Sequence, residues 1–334
     1  MQVLFYLAKS YNKSMVIIEA VPNISLGGNA PALARIARAV TDAGGAKLLH
    51  VDSNADADRT VLTLAGTPEQ VRLACLALYR AALTEIDMRV QKGAHPRLGA
   101  VDVCPLVPVQ NITLEKTARY AEQLAREVAQ LFDIPVYLYE ENAATPERKN
   151  LAFLRRGQYE SLPEKLKTLP PDFGPCEFSA RVAKAGATVI GARNFLIAFN
   201  ISLSTQNVEL AREIAAELRE KNGGLPAVKA IGWYMPAYGC AQVSFNLTDF
   251  HQSNLHDVFE ACKRKAVARG ITLTGSELIG LVPQEALVEA GKFYAPAQTN
   301  TAALISAAVQ HLLLDKIRPF EINGRILDKQ FNNG

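Results

Sequence analysis

No run in this 334-residue chain approaches the roughly twenty apolar residues that a bilayer-spanning helix requires, so a helical membrane protein is excluded. The short apolar run Leu4-Phe5-Tyr6-Leu7-Ala8 lacks a basic segment before it and a small-residue cleavage site after it, so it reads as an extension, residues 1–14, rather than a secretion signal. Cysteine is scarce. The five present (Cys75, Cys104, Cys176, Cys240, Cys262) are odd in number, widely spaced and free of any Cys-x-x-Cys pair. That usage argues against a disulfide framework and a cysteine metal site, and it suits the reducing cytosol. A dominant charge sign is also missing. The formal net charge is only +3, with Lys and Arg scattered among Asp and Glu, which argues against a nucleic-acid partner. Neither the phosphate-loop pattern Gly-x-x-x-x-Gly-Lys-Ser/Thr, nor Gly-x-Gly-x-x-Gly after a strand, nor a Gly-x-Ser-x-Gly elbow is found. What remains is the composition of a folded globular protein, 49% hydrophobic and 21% charged, with enough length for two packed units.

The pattern of those residues predicts an order of elements. Met15–Ile18 reads as a strand, and Leu33, Ile36, Ala37 and Val40 recur behind it at helical spacing. Strands follow at Lys47–Val51 and Arg59–Leu64, joined by an acidic loop, residues 52–58. A helix runs from Pro68 to about Leu83, and a strand covers Ala100–Val109. Strand, helix, strand, strand, helix, strand is the split βαβ order of two-layer α+β plaits. A helix over Thr113–Phe132 and a strand over Ile134–Tyr139 extend it. The same order recurs at Phe195–Leu203, Val208–Glu220, Val228–Tyr234, Ala241–Leu247, Asn254–Arg269 and Ile271–Thr274. The fold class expected is therefore α+β, with two ferredoxin-like subdomains, residues 15–194 and 195–334, sheets facing each other and helices outside.

His50, His251, His256 and His311 fall within predicted elements or at helix starts, where packing or solvation explains them. His95 differs, because it lies in the Gly- and Pro-bounded loop Lys92-Gly93-Ala94-His95-Pro96-Arg97-Leu98-Gly99, which leads into the strand containing Asp102. Such a loop can hold an imidazole in place and open to substrate, and Lys92 and Arg97 beside it would favour the neutral base. A histidine that only hydrogen-bonds its own turn is the competing reading. Solvation explains Asp56 and Asp58. Asp52 ends a predicted strand and could orient an imidazole or hold a cation.

Read together, these segments resemble the formiminotransferase family. The resemblance is carried by Glu19-Ala20-Val21-Pro22-Asn23, the loop from Asp52 to Thr60, Ile86-Asp87-Met88, His95-Pro96-Arg97-Leu98-Gly99-Ala100-Val101-Asp102-Val103-Cys104-Pro105 and Pro135-Val136-Tyr137-Leu138-Tyr139. In the second half it is carried by Asp172-Phe173-Gly174-Pro175, Gly186-Ala187-Thr188, Gly191-Ala192-Arg193, Phe195-Leu196-Ile197-Ala198-Phe199-Asn200 and Gly280-Leu281-Val282-Pro283. The resemblance implies a homodimeric cytoplasmic enzyme of histidine degradation, with a folate site in a cleft between its subdomains. It moves a formimino group from N-formimino-L-glutamate to tetrahydrofolate as co-substrate, and no metal is implied. The family's catalytic histidine falls on His95, with Asp52, Arg97 and Asn23 in supporting positions. Its folate-contacting stretch falls on Gly174, Pro175, Cys176, Glu177, Phe178, Ser179, Ala180, Arg181, Val182, Ala183, Lys184, Ala185 and Gly186. Arg97, Lys92 or Arg193 would hold substrate carboxylates.

The chain also departs from the family pattern. Leu26 and Ala94 stand where relatives carry carboxylates, and residues 176–185 diverge in sequence. The chain ends soon after the second plait, which implies a unit without the cyclodeaminase domain. Two other functions stay open at this point: formyl transfer between glutamate and 5-formyltetrahydrofolate, and a folate-binding protein without catalysis.

Overall fold

In a computed structural model the described residues are 15–332; the extension read over residues 1–14 lies outside them. The chain divides into two compact units, one ending at Asn194 and the other beginning at Phe195.

In the first unit the strands are β1 (Ile17–Ala20), β2 (Asn23–Ile24), β3 (Lys47–Asn54), β4 (Arg59–Gly66), β5 (Val101–Gln110), β6 (Val136–Leu138) and β7 (Thr188–Ala192). The helices are α1 (Ala30–Asp42), α2 (Pro68–Glu85), α3 (Leu114–Phe132) and the short α4 (Leu151–Leu154), α5 (Leu162–Thr168) and α6 (Ala180–Ala185). β1 and β2 lie on one line between β4 and β5, interrupted at Val21-Pro22, where Pro22 has no N–H to give. The sheet therefore runs β3, β4, β1/β2, β5, β7, β6. Its first four positions are antiparallel in the plait order, and β7 and β6 add in parallel beyond β5.

Local chemistry sets the helices. Thr67 and Gln70 close a capping box on α2 with Pro68 at its first turn, and Asn29 caps α1. Ile18, Ala20, Ile24, Leu62 and Leu64 pack against Ile36, Val40, Leu78 and Val128 of the helices. Each such burial contributes about 1.5–3 kcal/mol before the entropy of ordering. Strand alternation then turns Glu19, Asn23 and Thr63 to the face opposite α1–α3, where Val103, Tyr137 and Val189 pack on Leu154, Leu162 and Val182 of α4–α6.

The second unit holds β8 (Ile197–Leu203), α7 (Val208–Leu218), β9 (Val228–Met235), β10 (Cys240–Leu247), α8 (Leu255–Val267), β11 (Leu273–Ile279), α9 (Gln284–Tyr294) and α10 (Thr301–His311). Its sheet order is β11, β8, β10, β9, the plait order again, with Phe199, Ile201, Val243 and Phe245 packed on Ile214, Val258 and Phe259. Both subdomains are thus α+β, as the repeated pattern predicts.

Several elements differ from expectation, among them α4, α5, α6, α9 and α10, over whose residues the sequence pattern predicts no element. β3 continues through Asp52 to Asn54, leaving only a tight turn before Arg59. β11 reaches Ile279 rather than stopping at Thr274. β7, rich in Gly and Ala, lies fully buried between two parallel neighbours and so lacks the alternation that marks a half-exposed strand.

Candidate active site

The segment 93–99 joining α2 to β5 is held at both ends. Ala94 N donates to Asp56 O at 3.2 Å, and a Cβ on Gly93 would sit 2.3 Å from Ala57 O, so only glycine lets this loop lie on the β3–β4 turn. At the other end Gly99 bridges Gly186, Ala100 N donates to Ala185 O at 2.8 Å, and Ala187 N donates to Leu98 O at 3.1 Å. The half-buried His95 places Nδ1 2.8 Å from Pro96 O. In the neutral ring Nδ1 then carries the hydrogen and Nε2 the basic lone pair.

Three charged side chains surround it. Between Asn23 and Ile24 the register on β5 steps from Val103 to Val101, so Asp102 is the extra residue of a bulge. Its fully buried carboxylate accepts from Leu98 N at 2.8 Å and pairs with Arg59 Nη1 at 2.8 Å and with Arg155 Nη2. Burial works to raise the Asp102 acid, but Arg155 and Arg59 outweigh it and set it at about 2. Burial brings Arg59 down to about 10 against the pull of Asp102. The His95 imidazole is held well below its ordinary range, first by burial and then by Arg59 and Arg155, with Asp102 and the Pro96 carbonyl opposing. With His95 neutral, two guanidiniums face one carboxylate, and the cluster favours an anion beside a neutral base.

Of the residues expected at the site, Asn23 joins this cluster: its Oδ1 accepts from Arg59 Nε at 3.0 Å and its amide donates to Val21 O at 2.8 Å, aiming the guanidinium. Asp52, carried on β3, lies 3.7 Å from His50 Nε2, and Asp102 is a carboxylate that acts on His95. Arg97 is turned away from the role of an open cation. Glu160 grips it at 2.7 and 2.8 Å, Gln91 accepts from its Nε at 2.8 Å, and Tyr159 lies under it. The cations that keep His95 neutral are accordingly Arg59 and Arg155, where the sequence pointed to Lys92 and Arg97.

Those two arginines escaped the sequence reading because they come from β4 and from the turn after α4. Asp102 had a readable signal, a lone carboxylate inside the apolar run Ala100–Val109, which a buried strand tolerates only with partners.

The stretch Gly174–Gly186 backs directly onto the His95 loop. Gly174 and residues 176–181 are exposed, Ser179 caps α6, and Val182, Ala185 and Gly186 are buried. Lys184 O accepts from Met88 N at 2.9 Å, and Ala183 O accepts from Tyr159 Oη at 2.5 Å. Arg181 Nε donates to Phe132 O at 2.9 Å. Among the described residues there is no cluster of His, Cys, Asp or Glu suited to a metal ion, and no helix long and apolar enough to cross a membrane.

Known proteins share this chain's sequence over most of its length. Residues 17–193 match the formiminotransferase domain, N-terminal subdomain, and residues 198–332 match the formiminotransferase domain. The glutamate formimidoyltransferase of Streptococcus pyogenes serotype M1 is 38% identical across 83% of this chain and 93% of its own length. That of Thermoplasma acidophilum is 38% identical across 84% and 92%. The formimidoyltransferase-cyclodeaminase of Sus scrofa is 44% identical over 93% of this chain, which spans 59% of that longer protein. With both domain models matched in order and relatives covered almost end to end, this chain belongs to the formiminotransferase family.

Proposed function

We propose that this chain is a glutamate formimidoyltransferase, which takes the formimino group of N-formimino-L-glutamate to tetrahydrofolate and gives 5-formiminotetrahydrofolate and L-glutamate, a step of histidine degradation. The observation that carries the reading is the neutral His95 set among Arg59, Arg155 and Asp102. N5 of tetrahydrofolate attacks the formimino carbon and a C–N bond forms. As N5 gains positive character, His95 Nε2 takes its proton. The tetrahedral carbon then expels the glutamate nitrogen, which accepts that proton from the imidazolium as its C–N bond breaks. An imidazole whose charged form is disfavoured returns its proton readily, so one group serves both steps. The excess positive charge of Arg59 and Arg155 suits a substrate carboxylate, and holding two small molecules together supplies much of the acceleration.

Residues 174–186 would carry folate contacts, since this exposed stretch is stapled to the His95 loop through Gly99 and Gly186. Arg97 would act as a positioning residue that fixes the loop, and Asn23 as one that aims Arg59. Asp52 would contribute through His50. A cytoplasmic location suits the five free thiols, and a homodimer is the assembly expected of the family. The test is steady-state glutamate release from formiminoglutamate with and without tetrahydrofolate. Release should require folate and fall at least a hundredfold in His95→Ala with its melting temperature preserved. A folded parent that releases no glutamate overturns the reading.

A further inference from the structure

β1 carries Glu19 on the face of the first sheet opposite α1–α3, paired across to Ala65 and Val107. The side chain is only 4% exposed, and among the described residues no group hydrogen-bonds its carboxyl oxygens. Its electrostatic partner is Arg193, just past β7, which also hydrogen-bonds the Tyr139 hydroxyl. Tyr139 in turn feels Arg155, so the run Glu19, Arg193, Tyr139, Arg155 ends at the cluster around His95. Thr63, diagonal to Glu19 on the same face, has a buried Oγ1 with no hydrogen-bond partner. A hydroxyl buried without a partner beside a carboxyl whose charge is disfavoured by burial burdens the fold, which an apolar pair would relieve.

We propose that Glu19, with Thr63 beside it, is a specificity-determining contact that receives a planar N–C–N edge of a substrate through two parallel N–H···O bonds. The assignment rests on the formimino-transfer reading, whose two substrates each offer such an edge: the amidine of the donor and the 2-amino, N3–H side of the pterin ring. Two carboxylate oxygens match two parallel donors as they match a guanidinium fork. Burial lifts the Glu19 acid to about 7 despite Arg193, so the carboxyl holds a proton readily and surrenders it when two donors arrive. Arg193 faces Glu19, and Arg155 acts on Tyr139 beyond it.

The experiment uses the whole chain and its Glu19→Gln variant, whose amide offers one acceptor and one clashing donor. KM and kcat are measured while each substrate is varied, and calorimetry gives Kd for tetrahydrofolate alone and for formiminoglutamate alone. The expected result is a rise of at least tenfold in KM and Kd for one substrate, with kcat within threefold and the melting temperature not lowered. A rise for tetrahydrofolate assigns the pterin edge, and a rise for formiminoglutamate assigns the amidine. Unchanged constants for both substrates, a loss confined to kcat, or a melting temperature several degrees below the parent overturns the proposal. If the parent releases no glutamate yet binds tetrahydrofolate, and Glu19→Gln weakens that binding, transfer fails while the Glu19 contact stands.

Discussion

Replacing Glu19 by Gln should change how the stability of the first unit depends on pH, in a direction opposite to that of an ordinary paired carboxylate. In the folded chain burial raises this acid from 4.5 to about 7. Between those values the native state holds a proton that the unfolded chain has released, so stability falls as pH rises. The penalty is absent below 4.5 and complete above 7, and at about 1.4 kcal/mol per pH unit it reaches about 3 kcal/mol. Gln carries no such proton. The advantage of Glu19→Gln over the parent should therefore grow by about 3 kcal/mol from pH 4.5 to pH 8. Asp102, whose acid is lowered to about 2, contributes in the opposite sense at much lower pH and cancels in the difference. Hydrogen exchange in urea, read on peptides of β1 and β5 at pH 5, 6, 7 and 8, isolates this unit from the other. Parallel profiles for parent and variant would refute the reasoning, because they would mean that Glu19 ionises in the fold as it does in water.

Arg155→Gln removes one of the two cations that disfavour the His95 imidazolium and leaves Asp102 less compensated; both changes raise the imidazole pKa. The acidic limb of the kcat/KM profile should move at least half a unit toward higher pH, and an unmoved limb would mean that another group carries the proton. Gly186→Ala forces a φ of +71° on a residue whose Cβ would lie 2.3 Å from Leu98 O and 2.4 Å from Gly99 Cα. It should lower stability by about 3 kcal/mol or more and abolish folate-dependent turnover. Gly223→Ala, at φ +84° with no atom within 4 Å of its Cβ, should cost only about 1 kcal/mol on the same melting assay.

What the sequence discloses and what it hides both follow from the range of the interactions. α1, α3 and β10 are legible because each repeats a local pattern, an apolar stripe or an alternation, that any half-buried element must repeat. β7 is hidden because a strand buried on both faces has no polar face to mark it. His95 is legible because its loop is built locally, from Gly93, Pro96 and Gly99. Its electrostatic setting is not, since Arg59, Arg155 and Asp102 lie 36, 60 and 7 residues away from it along the chain and meet only when β4, β5 and the turn after α4 come together. Arg97 shows the converse. Adjacency to His95 suggested a cation for the site, yet a long side chain goes to the best partners within its reach, here Glu160, Gln91 and Tyr159. Adjacency in sequence therefore says which backbone a catalytic residue rides on, and the bulge at Asp102 and the break at Pro22 decide which charges it meets.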